Sequence, residues 1–106
     1  MTVEYNTIPR HGIYLFSERV LNPDYTPVNL TGYTATLHIV TAYGATPVVS
    51  LDETFGIDLG TDGMAVASID TDELPDSHYA FDWVVRDTAG VAIVERSGIF
   101  FLGAAV

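Results

Sequence analysis

The sequence has no cysteine and no lysine, and its four arginines, Arg10, Arg19, Arg86 and Arg96, are scattered. Without cysteine there is no disulfide framework and no thiolate metal site, so stability has to come from packing and backbone pairing. Nucleic-acid binding needs clustered cations, and a formal charge of -10 repels both phosphate backbones and anionic lipid headgroups. No apolar run approaches the ~20 residues that span a bilayer. The first residues, MTVEYNTIPR, carry no basic region followed by an apolar stretch. The expectation is a soluble protein made in the cytoplasm, with neither nucleic acid nor membrane as partner.

Helical patterning is equally sparse, whereas alternation of period two recurs between turn signals. Hydrophobic residues make up 48% of the 106 positions and charged ones 17%, which places the chain among sequences that fold, as one domain. Segment 12–21 is rich in strand formers and closes on the turn Asn22-Pro23-Asp24-Tyr25. Segment 33–42 sets Ala35, Leu37 and Ile39 on one side and Thr34, Thr36, His38 and Val40 on the other. Strands are also expected over 46–51, 55–59, 64–69, 78–87 and 91–102, with Gly60-Thr61-Asp62-Gly63 as a hairpin loop. In 78–87 the face Tyr79, Phe81, Trp83 and Val85 anchors the core, and Phe100 or Phe101 meets it. Segment 70–76 breaks the alternation: Asp70 as N-cap, Glu73 as its reciprocal partner and Pro75 as stop predict one short helical turn. About seven strands in a chain of this length predict an all-β, immunoglobulin-like antiparallel β-sandwich, with a small closed barrel as the structural alternative. Residues 12–106 form the sandwich, and residues 1–11 are either an N-terminal arm or an extra strand.

The residue types that carry chemistry occur without the required spacing. Asp70, Asp72, Glu73 and Asp76 cluster, but lack the glycine and the bidentate acid of a calcium loop, and capping accounts for them. His11, His38 and His78 form no paired-histidine motif for zinc. Ser17, Ser50, Ser68, Ser77 and Ser97 sit in no nucleophile elbow, and no phosphate-cradling glycine loop occurs. The expectation is a non-enzymatic protein with no cofactor and no metal. Most aromatics belong in the core, whereas Tyr5, Tyr25 and Tyr43 fall in arm or loop positions suited to partner contact. Ile8 and Pro9 join them, as an apolar handle and an extended, helix-resisting position in the arm.

Three stretches together carry a resemblance: NPDYTPVNLTGYTATLHI, GIDLGTDGMAVASIDTDELPDSHYAFDWVVRDTAGV and the closing strand. They resemble a family of small immunoglobulin-like domains from tailed-phage virions, including the N-terminal domain of baseplate upper proteins. The matching features are the bend Asp24 to Thr34, the hairpin opening Gly56-Ile57-Asp58-Leu59, the turn ending Leu74-Pro75, and a late strand with Tyr79 and Asp82. Tyr25 stands where the family usually has a turn glycine, Asn29 where it has aspartate, and Ser77-His78 replace a small residue and arginine. The resemblance implies a structural protein of a bacteriophage virion, in tail, baseplate, neck or capsid surface. It would be a multi-copy homo-oligomer or decoration protein contacting other virion proteins and copies of itself. The alternative is a free-standing module that binds carbohydrate or a host surface.

Overall fold

The computed structural model describes residues 3–8, 12–41, 46–74 and 78–103, and for residues 3–7 the backbone alone. Among the described residues there are eight strands: β1 (Val3–Ile8), β2 (Ile13–Arg19), β3 (Thr34–Val40), β4 (Val49–Asp52), β5 (Ile57–Leu59), β6 (Met64–Asp70), β7 (His78–Arg86) and β8 (Ala92–Leu102). They form two layers, a five-stranded sheet in the order β1-β8-β7-β3-β4 and a three-stranded sheet in the order β2-β6-β5. Neighbours run antiparallel except β1, which lies parallel to β8 with Val3 opposite Ser97 and Ile8 opposite Leu102. The protein is an all-β sandwich with the strand order of an immunoglobulin-like domain.

Alternation places the core between the layers. Ala35, Leu37 and Ile39 of β3, and Tyr79, Phe81, Trp83 and Val85 of β7, point inward and are buried. Ala65, Ala67 and Ile69 of β6 and Phe16 of β2 face them from the other sheet. Small residues on β6 opposite large aromatics on β7 let the layers interdigitate. Phe100 is the closing-strand phenylalanine that joins the core: its ring stacks on Tyr79 at 5.5 Å, and Phe16 reaches Phe81 at 5.2 Å. Phe101 points outward beside His78. At the rim, Arg96 of β8 donates to Glu18 of β2 at 2.7 Å and ties the two sheets.

The bend that follows β2 is built from short side-chain-to-backbone bonds. Asp24 accepts from the Thr26 hydroxyl at 2.6 Å and from its N–H at 3.1 Å, and Asn29 does the same for Thr31 at 2.7 and 3.0 Å. These turns carry the chain from one sheet to the other and drive Leu30 fully into the core, where its N–H donates to the Gly60 carbonyl. The segment after β6 is a single 3-10 turn, Thr71–Glu73, with Asp70 as N-cap. Its cap bond comes from the N–H of Asp72, one residue earlier than a capping box has it, because the turn is 3-10 and tighter than an α-turn. β4 starts at Val49, leaving Thr46 and Pro47 outside the ladder.

Candidate functional site

The five residues expected to meet partners fall in different places. Tyr25 is 82% exposed and is the one non-glycine with positive φ among the described residues, at 67°. A β-carbon in the left-handed region is strained. Tyr5 lies in β1 with its backbone opposite Ile99. Ile8 requires a correction: it is 2% exposed and part of the core, so it is no surface handle in this fold. The reason is register, since pairing with Leu102 at the end of β8 turns Ile8 inward between the sheets. Pro9 and Tyr43 lie outside the described residues, as do His11 and Asp76.

Three further surfaces emerge from the topology. The first is the outward face of the three-stranded sheet, where Ile13 is 64% and Leu15 52% exposed, opposite Asp70 and Ser68 of β6, with half-buried Val66 and Met64 further along opposite Ser17 and Arg19. The first half of this strand is apolar on both faces, and among the described residues no strand covers the outward one.

The second is a polar row across the outer side of the large sheet. Ser50 of β4 stands opposite His38 of β3, which stands opposite Asp82 of β7, which stands opposite Ser97 of β8. The residue types match a hydrolytic triad, but among the described residues no side-chain bond links Ser50 to His38 or His38 to Asp82. The flanking N–H groups of β3 and β7 are committed to the ladders on both sides, so none is left to receive an oxyanion.

The third is a cleft of about 320 Å³ between the free edge of β4 and the end of β6, lined by Val48 to Leu51, Phe55, Ser68, Asp70, Glu73 and Leu74. Its origin is local. Asp52 accepts from the hydroxyl and N–H of Thr54 at 2.6 and 2.8 Å, and the resulting turn, with Gly56 at φ 92°, swings the chain from β4 to β5. Leu51 packs so closely over Gly56 that a β-carbon there would stand 2.6 Å from its Cδ2. Because the turn takes up residues 52–56, β5 is only three residues long and its ladder with β6 stops at Ile57 opposite Ala67. The last three residues of β6 have no strand on that side.

Electrostatics in these turns follow from hydrogen bonding. The Thr26 hydroxyl, then the Thr26 N–H, hold the Asp24 carboxyl below the usual aspartate value of 3.8, and Thr54 does the same for Asp52. No group of three or more metal-ligating side chains is assembled among the described residues. Compared with protein-family models the chain matches none, and no curated protein matches it either.

Proposed function

We propose that this protein is a non-enzymatic structural component of a bacteriophage virion, in tail, baseplate, neck or capsid surface, present in many copies and acting through protein-protein contacts. The virion setting rests on the resemblance carried by the bend, the hairpin, the acid-rich turn and the late strand. Its place of action is therefore the assembled particle, after synthesis in the host cytoplasm.

The contact role rests on one observation: Ile13 and Leu15 stand side by side on an outward sheet face, more than half exposed, opposite Asp70 and Ser68 of β6. Aliphatic groups in a row on a two-layer domain are left to water unless a neighbour covers them. Tyr25, exposed and strained, adds a second contact candidate on the bend.

The test is the double variant Ile13→Thr with Leu15→Thr, which keeps β-branching or strand compatibility while removing apolar surface. The folded chain should retain its stability to within about 1 kcal/mol, and its incorporation into particles, read by quantitative mass spectrometry of purified virions, should collapse. Undiminished incorporation, or a chain absent from purified particles altogether, would refute the proposal.

A further inference from the structure

We infer that the outward face of the three-stranded sheet binds the same face of a second copy, with strands running antiparallel about a twofold axis, so that Arg19 of each copy reaches Asp70 of the other. This deepens the protein-contact reading given above by naming its partner, and rests on it.

The layout of the face carries the argument. Residues opposite one another on β2 and β6 share a side of the sheet, and the outward rows are Ile13 with Asp70, Leu15 with Ser68, Ser17 with Val66, and Arg19 with Met64. One half is apolar on β2 and polar on β6, and the other half is the reverse. A twofold axis across the strands lays β2 on β2 and β6 on β6 in opposite directions. Ile13 then faces the partner's Arg19 with the partner's Met64 alongside, and Leu15 faces the partner's Ser17 with the partner's Val66 alongside. The exposed aliphatic groups of each copy are thereby covered by the half-buried ones of the other. Asp70 lies one strand over from the partner's Arg19. With packed sheets about 10 Å apart and strands about 4.8 Å apart, their Cα atoms stand about 11 Å from one another, a gap that an arginine and an aspartate side chain close between them.

Charge selects this arrangement. Arg19 donates to the Met64 sulfur at 3.4 Å, which lays it along the face, and neither it nor Asp70 has an ion-pair partner among the described residues. Of the other arginines, Arg96 is held by Glu18, Arg86 donates to the Gly90 carbonyl, and Arg10 lies outside the described residues; the pairing draws on none of them. A twofold axis along the strands would instead stack Asp70 on Asp70, because β6 is the middle strand. Exposed Asp58 of β5 stays at the rim beside Val66, in water. The face is its own complement, which makes a second copy the occupant. Two terms keep the pairing weak. The charge of -10 on each copy opposes it, and a patch seven residues long and three strands wide covers roughly 350 Å² per copy, against about 800 Å² in a standard complex. The free chain therefore pairs with a dissociation constant on the order of 0.1–1 mM, a concentration that copies tethered in one assembly reach.

The experiment is a dilution series of the full chain from about 0.05 to about 2 mM in about 150 mM sodium chloride, followed by sedimentation and methyl NMR. Expected are a monomer–dimer equilibrium and contacts between Ile13 and Met64 methyl groups that grow with concentration. Within one copy these two residues sit at opposite ends of the β2–β6 ladder, about 20 Å apart, so the contact comes only from a partner. Asp70→Asn keeps an N-cap side chain and should weaken pairing about fivefold, even though it lowers the net negative charge, which by itself would tighten pairing. Arg19→Gln should act similarly, and the double variant should pair no more weakly than the worse single one, as expected of two groups that meet each other. The inference is overturned by a chain still monomeric at about 2 mM, by dimers without the Ile13–Met64 contact, or by Asp70→Asn pairing as tightly as the parent. Each of those outcomes leaves incorporation into particles, and its dependence on Ile13 and Leu15, free to stand; absence from particles would instead remove that reading itself.

Discussion

At the scale of single residues, two kinds of side chain explain most of the local structure. Aspartates and asparagines two places before a backbone N–H shape the turns: Asp24, Asn29, Asp52, Asp62, Asp70 and Asp87 each accept from the residue two positions on. Much of the acidity that reads as solubility in the sequence is thus turn chemistry as well. For Asp24 and Asp52 the bonds favour the charged form, so the folded value lies below the unfolded one near 3.8. Their contribution to stability is complete above that unfolded value and fades as pH falls through the lower folded one. In Thr54→Val the hydroxyl donor is gone, and the Asp52 titration midpoint, followed by carboxyl NMR, should move up toward 3.8; an unmoved midpoint would show that the hydroxyl is not the cause. Tyr25 is the opposite case, a residue placed against its backbone preference. Tyr25→Gly should stabilise the isolated chain by about 1 kcal/mol in urea unfolding while reducing its incorporation into particles. A destabilised glycine variant would mean that the tyrosine ring contributes to this fold itself. Trp83 also stands out, since its indole N–H is buried with no acceptor among the described residues, a cost of about 1–3 kcal/mol carried inside the core.

Elements add what residues do not determine. Alternation in β3 and β7 was legible in the sequence because each strand has a single core face, and the inward sets fall where the pattern puts them. Even there the outer side of β7 holds a surprise, with Ala80 and Val84 nearly as buried as the core. The first residues were not decidable from pattern alone, because Ile8 fits an apolar handle on a neighbour as well as a core position. Pairing of β1 with β8 puts Ile8 inside this domain. Ile8→Ala should therefore cost the isolated chain about 2–4 kcal/mol in chemical denaturation, and an unaffected chain would mean that β1 belongs on another subunit. The cleft is likewise an element-level product. The Asx turn at Asp52 and the close packing of Leu51 on Gly56 shorten β5, and no single segment read alone shows that β6 outlasts its neighbour.

For the molecule as a whole, charge and surface decide behaviour. Fourteen acids against four arginines make a compact body that repels itself, an effect that salt screens within a Debye length of roughly 10 Å at 0.1 M. The thermal midpoint of the isolated chain should rise by several degrees as sodium chloride goes from about 10 mM to about 150 mM; a flat or falling midpoint would show that the acids are offset locally by their turn bonds. The same field disfavours contacts between like patches of two copies.

The sequence by itself determined the class of fold and the composition of its core. Period-two alternation, turn chemistry and the absence of cysteine leave a packed pair of β layers as the stable arrangement for so apolar a short chain. Only the tertiary structure decided which faces and edges remain open. Alternation says that a strand has two sides, but whether Ile13, Ile8 or the end of β6 is covered depends on strand order and on where a neighbouring strand stops, and both are set by long-range pairing between segments far apart in the chain.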